Sequence, residues 1–322
     1  MKKTLKSWGG QLLLAAVTLG QGTAALAQNA IADYPNKPVR IIVPYAPGGG
    51  GDAVVRYMSD KLAERLKQPI IVENKPGASG FIGAQMAATA APDGYTLVMV
   101  FDGTVVVAPH LLKAPFNTLT DFEPITKLND ATIVLAVNNK VPAKNFKELV
   151  TYAKSLPNPM EFGSTGQGSS THLAGELLAL RTGIKLQHIP YKGVAPAIND
   201  VLGGQVPLAF ASLPSALNYI KTGKLQAIAI SSAKRSSAAP EIPTIAETYP
   251  DCVGEVWVAT FAPIGVSADV VKKNQQAMDK VMSRPDVREK LIAQGLDLAP
   301  VPSSKLTTLL KDELAKWVKI VK

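Results

Sequence analysis

The chain has 322 residues, a formal net charge of +9 at pH 7 and 47% hydrophobic residues. This composition is typical of a globular protein and excludes an intrinsically disordered chain. The basic residues are scattered along the sequence, and only three Trp and eight Tyr are present, which argues against a nucleic-acid partner.

The N-terminal segment has the features of a cleaved signal peptide. Lysines within the first six residues precede a short apolar run over 12–19, and Ala-Leu-Ala at 25–27 matches the small-x-small pattern before a cleavage site. The apolar run is shorter than the roughly 20 residues that a membrane-spanning helix needs. We therefore expect residues 1–27 to be removed and the mature chain to be exported. Its length of about 295 residues favours two domains.

Strand and helix patterns alternate along the mature chain, which favours α/β layers with largely parallel sheets. Apolar runs predict strands at 39–43, 70–73, 95–101, 132–137, 160–163, 186–189, 208–212 and 225–231. Helical periodicity predicts helices at 53–66, 81–88, 146–155, 170–181, 195–202 and 217–220. The tail, from 268 to 294 and from 303 to 322, is predicted to be helical without strands of its own.

Three segments rich in glycine and hydroxyl residues, 47–52, 77–80 and 163–171, each join a strand to a helix. A helix start carries free N–H donors and partial positive charge, so it binds anions without a cationic side chain. Turns of this kind on two domains predict a cleft in which a ligand with a carboxylate at each end holds the domains closed. For the first segment a flexible loop stays an alternative, and Asp52 is either the helix N-cap or a ligand contact.

Motifs for catalysis and metal binding are missing from the sequence. No Gly-Lys-Ser/Thr follows the first turn, and no Gly-x-Ser-x-Gly elbow is present. A hydrolase would have to pair Ser164 or Ser169 with His172, for which we favour a capping or packing role. Cys252 and the three His lack metal-ligand spacing, so we expect no metal and no cofactor. Cys252, the only cysteine, is interpreted as a buried apolar side chain rather than a reactive thiol.

A series of short motifs runs in order through nearly the whole mature chain. They are Tyr34-Pro35, Lys37-Pro38, Asp52, Arg56, 72–80, 92–96, Gly163-Ser164, Gly166, Gly168-Ser169, His172, 190–193, Gly203-Gly204, Pro243-Thr244, Glu247 and Trp257. This series resembles the Bug-type receptors, which are the periplasmic solute-binding proteins of tripartite tricarboxylate transporters. The resemblance implies a two-lobed α/β fold of the Venus flytrap type, in which each lobe is a mostly parallel sheet flanked by helices. Lobe one is then 33–131 plus 256–322, and lobe two is 132–255.

The resemblance also implies a function. The protein is expected to be a periplasmic monomer, not an enzyme, that captures a small organic acid between its lobes and delivers it to integral-membrane transporter subunits. Carried over residue by residue, the predicted ligand contacts are Gly49, Gly50, Ser79, Ser164, Thr165, Gly168 and Ser169, with Tyr191 and Ser212 near the hinge-side wall. A receptor that signals to a membrane sensor kinase is an alternative, and a serine hydrolase is a further one. The sequence leaves open whether the acid is a dicarboxylate, a tricarboxylate, an aromatic acid or an acidic amino acid.

Two places depart from the pattern of such receptors. Gly51 stands where Thr or Ser is common before Asp52, and this removes a hydroxyl donor. Phe101 and Asp102, at the end of the third strand, complete the set of predicted site residues. If Asp102 points into the cleft, its charge would favour an amino or amide group there; if it caps the next turn, it says nothing about the ligand. Phe101 either stacks on an aromatic acid or packs in the core.

Overall fold

The computed structural model describes residues 33–250, 254, 256–298 and 300–321. The predicted signal peptide, Cys252 and the predicted crossing at Glu255 lie outside these residues. Within them, no helix combines the length and the apolar character needed to cross a membrane.

Twelve strands form two sheets. In chain order the strands are β1 (Val39–Val43), β2 (Ile70–Asn74), β3 (Thr96–Phe101), β4 (Phe122–Ala131), β5 (Ile133–Val137), β6 (Met160–Ser164), β7 (Leu186–Pro190), β8 (Leu208–Ser212), β9 (Gln226–Ile230), β10 (Val256–Pro263), β11 (Leu296–Asp297) and β12 (Val301–Pro302). The seven-stranded sheet has the order β11-β4-β10-β3-β1-β2, with β12 also beside β4. The five-stranded sheet has the order β7-β6-β8-β5-β9.

Helices flank both sheets, so the chain has the predicted two-lobed α/β fold. They are α1 (Gly50–Leu66), α2 (Phe81–Ala88), α3 (Ala108–Leu111), α4 (Phe146–Ser155), α5 (Ser170–Thr182), α6 (Val194–Gly203), α7 (Leu213–Lys221), α8 (Ala268–Met282), α9 (Pro285–Ala293) and α10 (Ser303–Val321). Below, the first lobe is the one built on the seven-stranded sheet, and the second lobe is the one built on the five-stranded sheet.

Both sheets are mixed, whereas mostly parallel sheets were predicted. β1 is parallel to β2 and β3, and β6 is parallel to β7 and β8. In contrast, β10 is antiparallel to β3 and β4, and β5 is antiparallel to β8 and β9. Strands β4, β5 and β10 are the ones at which the chain passes between the sheets, since Thr132 alone separates β4 from β5. A strand buried on both faces has the same apolar pattern in either direction, so this pattern did not reveal the antiparallel strands.

The sequence missed β4 and β10, and it misplaced several helix ends. Helix α1 begins at Gly50, three residues before the predicted start, and α7 covers 213–221 rather than 217–220. The predicted tail helix is interrupted before Pro285, which begins α9, because proline favours the first turn of a helix. Contrary to prediction, the tail also contributes β11 and β12, which pair with β4. The lobe boundaries at 131/132 and 255/256 stay predictions.

Burial on both faces holds the central strands of the seven-stranded sheet in place. On one face Ile41 and Met99 belong to a core cluster with side chains of α1 and α8. On the other face Ile42 and Val98 lie in a cluster with side chains of α2 and α10, including Leu306. The carboxyl ends of β1 and β3 are thereby fixed, and in sheets of this kind ligands bind beyond the carboxyl ends of parallel strands.

Candidate functional site

The first glycine-rich turn is the beginning of α1 rather than a separate loop. Gly49 is the N-cap, and Gly50, Gly51 and Asp52 form the first helical turn. The buried Asp52 carboxylate accepts hydrogen bonds from Gly48 N at 2.9 Å, from Arg56 Nε at 3.0 Å and from Asn74 Nδ2 at 2.8 Å. Asp52 therefore fixes the shape of this turn, and it is neither the N-cap nor free for a ligand.

These bonds also set the charge of Asp52. Burial alone would raise the pKa of the Asp52 carboxyl, but the hydrogen bonds from Arg56, Gly48 and Asn74 outweigh burial and hold this pKa below its usual value. The carboxylate thus stays ionised beside the positive end of α1, where a negative charge is stabilised.

The turn at the start of α5, in the second lobe, is tied together by hydroxyl groups. Ser169 is the N-cap and its Oγ accepts from His172 N at 3.2 Å while donating to the carbonyl oxygen of Gly166 at 2.7 Å. Thr165 N donates to Thr171 Oγ1 at 2.9 Å. The hydroxyls shape this turn, and the N–H groups of the first helical residues have no acceptor within the helix.

The segment between β2 and α2 has an unusual backbone. Four consecutive residues have positive φ angles: Gly77 (131°), Ala78 (47°), Ser79 (56°) and Gly80 (94°). Such angles are rare for residues with a side chain and concentrate at functional sites. The Ser79 hydroxyl donates to the backbone carbonyl of Gln167, which belongs to the turn before α5 in the second lobe. Ser79 therefore joins the two lobes.

A cleft lies between the two helix starts. Six predicted contacts line it: Gly49, Gly50, Phe101, Thr165, Ser169 and Ser212. Asp52, for which a ligand contact was one of two alternatives, also lines it. The structure adds residues that were not among the predicted contacts: Tyr45, Gly51, Gly103, Thr104, Ala131, Ile133, Ser170, Thr171, Val194 and Val256. Among the additions, Ala131, Ile133 and Val256 could have been found from the predicted crossings, because segments that pass between lobes form the base of a cleft.

Tyr45 and Phe101 form an aromatic corner in the wall of the cleft. Their rings meet edge to face at 5.1 Å between centroids. The Tyr45 hydroxyl lies 2.6 Å from Thr104 Oγ1 and accepts a hydrogen bond from Phe101 N at 3.1 Å. Burial raises the pKa of the Tyr45 phenol, so this group stays protonated. Phe101 thus both packs against Tyr45 and faces the cleft, so the two alternatives for this residue are compatible.

Two predicted contacts lie beside the cleft rather than in it. Ser79 and Tyr191 line an adjoining depression, which shares Tyr45 and Thr165 with the cleft. The Tyr191 hydroxyl donates to Asp200 Oδ2 at 2.7 Å. Its phenol is consequently held by a side chain of its own lobe.

Three other predicted ligand contacts, Ser164, Gly168 and Asp102, do not line this cleft. Ser164 is fully buried, and its Oγ lies 2.5 Å from His188 Nε2. Gly168 has a φ of 77° and donates its N–H to His172 Nδ1 at 3.0 Å. Asp102 is buried where the two lobes meet and accepts a hydrogen bond from Ser170 Oγ at 2.7 Å. Each of these residues stabilises a turn or a lobe contact, which a sequence pattern cannot separate from ligand binding.

A stacked pair of histidines packs beside the turn at the start of α5. The rings of His172 and His188 are 3.9 Å apart between centroids, and Phe162 packs beside them. Burial, together with the nearby His172, lowers the pKa of His188 to about 4. Burial also lowers the pKa of His172, although Glu176 opposes this shift. Both rings are therefore neutral near pH 7, and the partner of Ser164 is His188 rather than His172.

Cationic side chains do not line the cleft within the described ranges. The internal residues outside these ranges, 251–253, 255 and 299, include no Lys, Arg or His. Within the described ranges, no group of three or more His, Cys, Asp or Glu side chains is placed to bind a metal ion. The polar character of the cleft thus comes from hydroxyls and from two helix N-termini on opposite lobes.

Comparison with known proteins shows the family to which this chain belongs. Residues 54–322 match the family described as tripartite tricarboxylate transporter family receptor. The chain belongs to this receptor family. The family consists of solute-binding receptors, and solved structures that are similar to this one include a periplasmic binding protein.

Individual receptors support the assignment along the whole chain. Protein BugT of Bordetella pertussis is 34% identical over 314 residues, which cover 96% of each chain. The structure of the periplasmic binding protein BugD is 33% identical with a TM-score of 0.85, covering 89% of this chain and 97% of BugD. MatC of Rhodopseudomonas palustris, solved with bound malate, is 29% identical with a TM-score of 0.84, covering 90% of this chain and 100% of MatC.

Proposed function

We propose that this receptor captures a small carboxylate between its lobes and delivers it to a tripartite tricarboxylate-type membrane transporter. The observation that carries the proposal is the position of two helix starts, those of α1 and α5, in the wall of one cleft. These helices belong to different lobes, so a ligand that contacts both stabilises the closed arrangement of the lobes.

The electrostatics of the cleft favour an anion. Free N–H groups and partial positive charge at a helix N-terminus stabilise a carboxylate, whereas they repel an ammonium group. The carboxylate of Asp52 does not oppose this, because Arg56, Gly48 and Asn74 already bind it. A dicarboxylate has one group for each helix start. Malate bound to the related MatC supports this class of ligand.

We infer that the receptor binds without turnover. Ser164 is fully buried and Ser169 Oγ is already bonded to Gly166, so neither serine is poised to attack a ligand in the cleft. The same proposal includes export to the periplasm by removal of residues 1–27, action as a monomer, and transporter subunits rather than nucleic acid as macromolecular partners.

A thermal-shift panel tests the proposal. The protein is unfolded and refolded to remove carried-over ligand, and then heated with malate, succinate, adipate, citrate, benzoate and glutamate. Ligand at 100 times its dissociation constant stabilises by about 2.7 kcal/mol, which raises the melting temperature by about 5 °C for a chain of this size. We expect such a rise with at least one acid.

The matched control is the full amide of each active acid, in which every carboxylate is replaced by a carboxamide of similar shape that carries no negative charge. A rise with the amide equal to that with the acid, or no rise with any acid, would contradict the proposal. Recovery of the bound acid unchanged, followed by NMR, checks that the protein does not convert it.

A further inference from the structure

Among the described residues, Asp102 takes part in the one hydrogen bond between the lobes that involves an ionisable side chain. It follows the last residue of β3, in the first lobe, and is only 4% exposed. Its Oδ1 accepts a hydrogen bond of 2.7 Å from Ser170 Oγ. Ser170 is the first residue of α5, which packs on the sheet of the second lobe.

A second hydrogen bond, from the backbone of the first lobe, also holds Ser170. Gly103 N donates to Ser170 Oγ at 3.2 Å, so this hydroxyl lies between a carboxyl and an amide of the first lobe. Within the described ranges, the other hydrogen bonds between the lobes are Ala46 N to the carbonyl of Lys192, at 3.2 Å, and Ser79 Oγ to the carbonyl of Gln167. Neither contains a group that titrates between pH 4 and 9.

The surroundings of Asp102 offer it no cation. Its titratable neighbours are Glu313 on α10, Asp130 on β4 and the phenol of Tyr45, and Asp130 is itself paired with Lys127. Burial, the largest influence, raises the pKa of Asp102 to about 7. The hydrogen bonds from Ser170 and Gly103 oppose this shift, while Glu313 and Asp130 add to it.

We propose that Asp102 and Ser170 form a latch between the lobes, and that closing the latch takes up a proton on Asp102. The proposal rests on the closing cleft of the proposed function but not on the identity of the acid. In this role Asp102 and Ser170 are positioning residues, since they hold the two helix starts at the distance that forms the cleft and Asp102 does not line it.

The sign of the pH effect follows from burial. Opening moves α5 away from Asp102 and admits water, so the carboxyl returns to its ordinary pKa of about 3.9. Between about 4 and 7 the closed form then binds more protons than the open form, and closure strengthens as the pH falls through this window. With a closed-form value of about 7, the ratio of closed to open molecules rises about tenfold from pH 8 to pH 6. Protonation does not break the latch, because a carboxylic acid still accepts a hydrogen bond from Ser170.

The test measures closure in the ligand-free protein. Single-molecule energy transfer is recorded between dyes on Lys154→Cys, on α4, and Lys272→Cys, on α8, with Cys252 replaced by Ser. Both lysines are exposed, and they lie on different lobes. The ratio of closed to open molecules is compared at pH 8, 7 and 6. We expect the tenfold rise in the parent protein and no rise in Asp102→Asn.

Two further variants keep the test decisive. Ser170→Ala is expected to lower the ratio at every pH, because it removes the bond between the lobes. Asp60→Asn, which removes an exposed carboxyl on α1 that takes no part in the contact, is expected to keep the pH dependence of the parent. A parent ratio that does not change with pH, or Asp102→Asn with the parent's slope, would overturn the latch. Neither result would affect carboxylate binding in the thermal-shift panel, so the two proposals fail separately.

Discussion

The two helix starts that line the cleft are built in different ways. At the start of α1 the lining residues Gly49 to Gly51 have no side chains, and the turn is held from behind by the ionised Asp52. At the start of α5 the turn is made of hydroxyl residues, which bond to each other and rest on two neutral histidines.

The two turns use different chemistry for one purpose, since the side chains in each of them fix the shape of the backbone. The turn at the start of α1 is held by a charged group next to solvent-exposed Arg56, whereas the turn at the start of α5 is held by neutral hydrogen bonds beside a half-buried pair of rings. What the turns share is the set of N–H groups in the first helical turn, which need an acceptor from outside the helix. We therefore expect the two turns to respond differently to substitution and to pH.

The largest expected effect concerns the turn that is held by charge. Asp52→Ala removes the acceptor of three hydrogen bonds, of which one comes from a guanidinium group. A hydrogen bond to a charged group contributes about 1.5–3 kcal/mol, and three bonds to one carboxylate are not additive, so we expect the free energy of unfolding to fall by about 3 kcal/mol. Urea denaturation measures it. Asp60→Ala, an exposed position on the same helix, is the control, and equal losses in the two variants would refute the role of Asp52.

A second prediction concerns the contact between Gly103, in the first lobe, and Ser170, at the start of α5. A Cβ added at Gly103 would lie 2.6 Å from the backbone nitrogen of Ser170. The two lobes of Gly103→Ala therefore cannot close fully. Overpacking of this kind costs about 1–3 kcal/mol, and 1.4 kcal/mol is a factor of ten in affinity. We expect the affinity for the acid found in the thermal-shift panel to fall about tenfold, as measured by calorimetry. Gly203→Ala, where the nearest atom is 3.8 Å away, is the matched control, and an unchanged affinity in Gly103→Ala would contradict the closed arrangement.

A smaller effect is expected from the turn that is held by hydroxyls. Ser169→Ala removes the N-cap of α5, and the loss of such a cap costs about 1 kcal/mol of folding stability. Ser155→Ala, an exposed serine at the end of α4, serves as the control in the same denaturation experiment. If Ser169→Ala lowered ligand affinity without lowering stability, its hydroxyl would be a ligand contact rather than a cap.

The smallest effect is a dependence of stability on pH in the second turn. Burial and the nearby His172 lower the pKa of His188 to about 4, whereas an unfolded histidine titrates near 6.5. The unfolded chain therefore binds more protons between these values, and this contribution to stability is lost as the pH falls from about 6.5 to 4. Partial exposure of the ring reduces the effect through solvent screening.

Urea denaturation at pH 7, 5.5 and 4.5 compares the parent protein with His188→Gln, which keeps a polar side chain but does not titrate. The variant should lose less stability on acidification than the parent. If the free energy of unfolding fell equally with pH in both proteins, titration of His188 would not contribute to the stability of this turn. Asp102 shifts stability in the opposite direction over the same window, so Asp102→Asn combined with His188→Gln separates the two contributions.

Several elements of the fold were predictable from local pattern. The strand at 39–43, the helices at 81–88 and 146–155, and the strand at 208–212 have the predicted bounds, because Gly, Pro or a capping residue stands close to both ends of each segment or at its start. Strand β4 was missed because Pro124 and several charged or polar side chains interrupt its apolar pattern. Its pairing with β10 compensates for them, and that pairing joins residues far apart in the chain.

For the cleft, the sequence by itself indicated two of the segments that line it, 47–52 and 163–171, because a glycine- or hydroxyl-rich turn between a strand and a helix has few structural roles. It also determined the receptor family, through the order of its motifs. Only the tertiary structure decided which residues line the cleft. Ser164 and Asp102 carry the same chemistry as a ligand contact, yet one is bonded to His188 and the other to Ser170 of the opposite lobe. A hydroxyl or carboxyl bonds to whichever partner the fold brings near, and that partner is set by packing between segments distant in sequence.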